Sequence, residues 1–149
     1  MIRTCLVLLV SVTMFCSCGS DDEVTPTFVP LGKQIIGSWK VTATTENSTK
    51  SATTYPSTIE DYIFTFGSDS RMKFDGPCNG GGAESYVYTE SGTLIFNGVI
   101  VTTAVCSATE NDWEGRIVNG IKNAYHGSIS GNTLNILTNG NYGITLTRM

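Results

Sequence analysis

Ile59-Glu60-Asp61-Tyr62-Ile63-Phe64-Thr65-Phe66-Gly67-Ser68-Asp69-Ser70-Arg71-Met72-Lys73-Phe74-Asp75 is the stretch that decides the fold. Tyr62, Phe64 and Phe66 fall on one side of a strand, and after the turn at Gly67 to Ser70, Met72 and Phe74 return to the same side. A period of two with aromatic residues, broken by a Gly/Ser/Asp turn, predicts an antiparallel hairpin with one buried face.

The same alternation continues on both sides. Upstream, Ile36 to Thr45 places Trp39, Val41 and Ala43 on one face and Lys40, Thr42 and Thr44 on the other. Between them, Glu46 to Thr58 is rich in Ser and Thr and reads as a long loop or ragged edge. Downstream, Gly76 to Gly82 reads as a flexible crossover and Ser85 to Glu90 as a strand carrying Tyr86, Val87 and Tyr88. Thr93 to Phe96 follows a turn, and Val99 to Cys106 is either another strand or an extended connection. One helix interrupts the pattern. Ser107 and Glu110 have capping-box spacing, and Trp113, Ile117, Ile121 and Ala124 recur at helical intervals. Tyr125 to Ser130, Thr133 to Leu137 and Tyr142 to Thr147 close the chain as short strands. The expected fold is mainly β: an antiparallel roll or barrel-like sheet of about eight strands with one amphipathic helix.

The N-terminal part reads differently. Arg3 precedes an apolar run from Cys5 to Phe15, which is short of the roughly 20 residues a membrane span needs. Ser17 is the small residue before a cleavage point, and Cys18 opens the mature chain, as in a lipoprotein signal. The expectation is a signal peptide over residues 1–17, lipidation at Cys18, an acidic flexible tether over 18–32, and one domain over 33–149. Asp21-Asp22-Glu23 resembles the acidic mark that sends some lipoproteins to the cell surface. The expected location is the outer membrane, at the cell surface or otherwise facing the periplasm, with the membrane as partner through the N-terminal lipid. One acyl chain binds marginally and several bind effectively permanently.

Composition excludes other classes. The net charge is −4, and no run of Lys or Arg supplies a nucleic-acid footprint. Once the signal is removed, Cys18, Cys78 and Cys106 remain of the five cysteines. With Cys18 lipidated, Cys78 and Cys106 are either a disulfide, the favoured reading in an oxidising compartment, or two buried thiols. A bridge would stabilise by roughly 3–4 kcal/mol. His126 is far in sequence from the cysteines and no Cys-x-x-Cys occurs, so no metal is expected. His126 has no nucleophile in a recognisable motif, and Glu60-Asp61 and Asp112/Glu114 read as solvated carboxylates rather than a glycosidic pair. Cys78 to Gly82 lacks the Lys and helix start of an anion-binding loop. No catalytic residue and no cofactor is expected.

Several features together resemble the META domain family, which includes the HslJ-like heat-shock lipoproteins. They are the Trp39 strand, Phe64-Thr65-Phe66, Gly76-Pro77-Cys78-Asn79 with its trailing glycines, and Thr103-Ala104-Val105-Cys106. The amphipathic helix and closing strands to Leu146-Thr147-Arg148 follow in order. The resemblance implies a β-rich roll with one helix, usually in the cell envelope, and no established enzymatic activity. Gly37-Ser38-Trp39 also resembles the opening of lipocalin-like barrels. Two functions therefore stand side by side. One is a non-enzymatic, monomeric envelope module in stress or interaction, meeting an envelope protein or a surface polymer, with a filled core. The other is a lipocalin-like binder of a small hydrophobic ligand, with an open apolar cavity.

Overall fold

The computed structural model describes residues 31–149. Cys18, the signal segment and the acidic stretch lie outside the described residues. A short helix α1 (Leu31–Gln34) leads into β1 (Gly37–Glu46), β2 (Ala52–Thr54), β3 (Ile63–Phe66), β4 (Met72–Asp75), β5 (Gly80–Tyr88) and β6 (Leu94–Val101). Helix α2 (Ala108–Lys122) follows, then β7 (Ala124–Ser130), β8 (Thr133–Thr138) and β9 (Tyr142–Arg148).

Eight strands run in the order β6-β5-β4-β3-β1-β9-β8-β7, every pair antiparallel, and β2 attaches to β1 off this path. The sheet curls until its two edges meet. Thr93 bridges His126, and the Gly127 amide donates to the Gly92 carbonyl at 2.7 Å. The result is a nearly closed barrel, mainly β with one substantial helix.

The hairpin at residues 63–75 forms in register, with Phe64 opposite Phe74 and Phe66 opposite Met72. Those side chains, with Tyr62 and Trp39, are at most 1% exposed. Their rings pack in offset and tilted pairs, Tyr62 on Phe74 at 5.6 Å and Phe64 on Phe74 at 5.9 Å. Leu94, Leu134, Ile136 and Leu146 fill the opposite side of the axis. The interior is therefore packed with side chains, as a small barrel requires. Clefts of 170–290 Å³ lie on its open outer surface.

Trp39 seals one end. Its indole N–H donates to the Ile35 carbonyl at 2.7 Å, and the Arg148 guanidinium lies 4.2 Å above its ring. Arg148 also donates to the carbonyls of Ile36 and Gln34, which fastens α1 under the barrel. Leu31 and Gly32, which composition assigns to the tether, form the start of α1.

Helix α2 covers the other end, packing on β9, β8 and β6. Its capping box is formed: Glu110 N–H donates to Ser107 Oγ at 3.3 Å, and Ser107 N–H to Glu110 Oε2 at 2.8 Å. Trp113, Ile117 and Ile121 are its buried face, and Ala124 already belongs to β7.

Three segments differ from the expectation. Within the polar stretch 46–58, β2 pairs with the upper half of β1, where a bulge against β9 between Val41 and Ala43 turns Thr44 inward in place of the expected Ala43. Gly80 to Gly82 are the first residues of β5 rather than a flexible crossover. A Cβ on Gly81 would run into the Ile100 carbonyl and the Phe74 ring, so glycine lets the strands approach there. Thr93 to Phe96 and Val99 onward belong to a single strand, β6, kinked where Gly98 takes φ +61.

Candidate functional site

The helix-covered end of the barrel gathers the chemically distinctive groups of the described residues. Three segments meet there: the β4–β5 turn with Gly76 to Asn79, the crossover from β6 to α2 with Thr102 to Cys106, and the first turns of α2. Cys78 and Cys106 are bonded across the first two, with a Cα–Cα distance of 5.8 Å. Of the two readings open from sequence, the disulfide is the one the structure contains. Both cysteines are half-buried.

Asn79 is the centre of this end. It is 3% exposed. Its amide N–H donates to Glu114 Oε2 at 2.9 Å and toward Cys106 Sγ at 3.1 Å. Its carbonyl oxygen accepts from the Ala104 amide at 2.7 Å and from the Thr102 hydroxyl at 3.1 Å. One buried side chain thus ties the turn to the crossover and to the helix. A buried amide has few alternatives to such bonding, because leaving it unpaired costs more than the bonds return in water.

Two tyrosines lie beneath the same lid. Tyr55 packs edge-on against Trp113 at 4.9 Å and donates its hydroxyl to the Glu60 carbonyl at 2.8 Å. Burial, then the carboxylates of Asp61 and Glu110, push its pKa up to about 12. Tyr62 is shifted further upward, by burial first and then by Glu114, Tyr55 and Asp75. Its hydroxyl has no hydrogen-bond partner among the described residues.

Three of the four carboxylates in the two acidic sets have side-chain partners. Asp61 pairs with Lys40 at 2.7 Å, Asp112 with Arg116 at 2.9 Å, and Glu114 accepts from Asn79. They do not converge as a catalytic pair. Arg116 also lies over both Trp113 and Tyr142, at 5.4 and 5.1 Å. His126 sits half-buried on the closure seam, against Gly92, at the end of the barrel away from the disulfide. No group of three His, Cys, Asp or Glu side chains among the described residues is arranged to hold a metal ion. Tyr62 and Tyr86 are core residues, Tyr142 lies under Arg116, and Tyr125 is 45% exposed; they do not form one surface.

The model of one family, described as META domain, matches residues 34–149 of this chain. The chain belongs to the META domain family. Two solved structures are similar to it. A protein from Burkholderia xenovorans determined by NMR aligns with TM-score 0.62 and 16% identity, over 88% of this chain and 97% of that one. A crystal structure of a DUF4847 family protein from Bacteroides vulgatus aligns with TM-score 0.53 and 13% identity, over 77% and 95%. At those identities the likeness is one of fold. No curated protein matches the sequence.

In this META domain the cysteines were legible from sequence and their neighbour's role was not. Asn79 stands beside Cys78 in the quoted motif, but nothing local announces that its side chain reaches residues 102, 104, 106 and 114. Glu114 reads as one of two helix-surface acids, and only the turn of α2 over the barrel distinguishes it from Asp112.

Proposed function

We propose that this META domain is the folded part of a non-enzymatic envelope lipoprotein. Cys18 carries the lipid, the acidic stretch after it directs the protein to the cell surface, and the domain serves as an interaction module in the envelope or its stress response. The observation that carries the reading is the packed interior. A lid helix, a disulfide and a buried amide close one end, and Trp39 with Arg148 closes the other. Such a body presents surfaces rather than a chamber. The disulfide suits an oxidising compartment, which is where a lipoprotein signal would deliver the chain.

Labelled palmitate fed to cells tests the anchor. Wild type should take up label and Cys18→Ser should not; label retained in the variant would assign the lipid elsewhere. Protease treatment of intact cells tests display, since a surface domain is cleaved or shed and a periplasm-facing one is spared.

The lipocalin-like reading requires a cavity, and the aromatic stack from Trp39 to Tyr62 occupies the axis where a ligand would lie. A thermal-shift screen with fatty acids, retinoids and sterols separates the two readings. The interaction module gives a flat response, whereas a binder gives a melting temperature that rises with ligand concentration.

A further inference from the structure

We infer that the outer wall formed by β5 and β6, with the adjoining edge of β4, rests on the lipid bilayer to which the chain is anchored. Outward positions on β1, β3 and β9 are polar, Ser38, Lys40, Thr65, Thr145 and Thr147, while β7 and β8 expose Tyr125 and Leu137 at 45% and 46%. On the β5–β6 wall three exposed aliphatic residues stand among polar ones, Glu84 and the hydrogen-bonded pair Ser85 and Asn97. Val87 and Ile95 are directly paired across the strands and are 45% and 41% exposed. Ile100 is 64% exposed and pairs with Gly82, which in turn pairs with Lys73 on β4. Because Gly82 has no side chain, the surface dips between Ile100 and Lys73 into an apolar groove of about 250 Å³. Ser85 and Asn97 interrupt this apolar strip between the Val87–Ile95 pair and Ile100, and exposed aliphatic side chains gathered on one wall mark a surface that meets something other than water.

The charges beside the strip fit a phospholipid interface. Arg71 and Lys73 border the groove, and neither is in an ion pair among the described residues. Glu84 stands on the same wall beside Gly98, and Asp75 lies beyond Lys73. The apolar strip therefore supplies the contact, and the two cations at its β4 margin meet lipid phosphates.

The position of the N-terminus selects the bilayer over other occupants. A Cβ on Gly32 would lie 3.6 Å from the Tyr88 carbonyl, so α1 begins beside the end of β5, on the strand pair that carries the strip. Cys18 stands 13 residues before Leu31, and a chain of that length reaches at most about 45 Å. A lipid there holds the wall within reach of the bilayer at an effective concentration of about millimolar, so weak intrinsic affinity is enough to orient the domain. The inference rests on Cys18 being the anchor.

The test uses the full lipidated chain in vesicles of phosphatidylethanolamine and phosphatidylglycerol containing brominated acyl chains. Ile95→Trp places a reporter on the wall, and Leu137→Trp, at a position 46% exposed on β8, places one on another wall. The native Trp39 and Trp113 are 0% and 5% exposed and give the background. Circular dichroism establishes that both variants are folded. Quenching of the Ile95→Trp reporter should exceed that of Leu137→Trp by about twofold or more, since interfacial groups sit roughly 5–10 Å into the headgroup boundary. Equal quenching of the two overturns the inference while leaving the anchor intact. A dimer of the lipid-free chain that Ile100→Glu dissolves overturns it in favour of a second copy. Failure of the wild type to float with the vesicles removes the anchor, and the orientation with it.

Discussion

Asn79 shows how much one side chain can carry. Truncation to alanine leaves the Ala104 amide and the Glu114 carboxylate without their partner in a partly buried place. Asn79→Ala should cost about 1–3 kcal/mol, the range for stranding polar groups, read as a lower urea midpoint at unchanged slope. Tyr62 is the converse case. Its hydroxyl is buried without a partner, while its ring is held among Phe64 and Phe74. Tyr62→Phe keeps the packing and removes the stranded group, so it should stabilise the domain by about 1 kcal/mol. A loss in the same urea titration would mean that the hydroxyl is bonded in solution. Both residues were visible in the sequence, Tyr62 as a core aromatic and Asn79 as a motif letter. Their roles were not, because hydrogen-bond satisfaction depends on segments far apart in the chain.

Elements whose own sequence carries a period were legible, and those defined by their neighbours were not. Helix α2 announced itself by its cap and apolar stripe, and the β3–β4 hairpin by alternating aromatics. β2 has three exposed residues and no inward face, so it left no pattern to find. The glycine run opening β5 has no side chains to alternate, and the kink at Gly98 makes β6 read as two pieces. The two glycines of α2 sharpen the same contrast. By propensity alone each weakens the helix by up to about 1 kcal/mol relative to alanine. A Cβ on Gly115 meets nothing within 4 Å, whereas one on Gly120 would lie 2.7 Å from Ile144 Cδ1 and 3.1 Å from the Tyr142 carbonyl. Gly115→Ala should therefore raise the melting temperature, and Gly120→Ala should lower it by pushing α2 off β9. Adding Ile144→Val to the latter should recover part of the loss, and full additivity of the two changes would refute the contact as its cause.

At the scale of the molecule, α2 is a lid fastened at both ends. The Cys78–Cys106 bond holds its entry, and at its exit the Asn141 amide donates to Asn119 Oδ1 and the Asn139 amide to the Asn123 carbonyl, each at 2.9 Å. The bridge joins residues 28 apart, and a loop of that size contributes roughly 3–4 kcal/mol through the unfolded chain. Reduction should lower the urea midpoint accordingly, and intact mass should rise by about two units. The lid also gives the domain an alkaline limit. Tyr55 and Tyr62 are held protonated beneath it by burial and by surrounding carboxylates. Both pKa values are raised above the unfolded value near 10. Below about pH 10 the two states bind the same tyrosine protons, and no stability is lost. Above it the unfolded chain releases them while the folded chain keeps them, so stability falls with rising pH until Tyr55 ionises at about 12. Melting temperature measured from pH 8 to 11.5 should therefore drop steeply beyond 10. Tyr55→Phe should flatten that decline, because phenylalanine has no proton to lose in either state. An unchanged slope in Tyr55→Phe would mean that Tyr55 titrates alike in both states, and that the lid does not shield it from solvent.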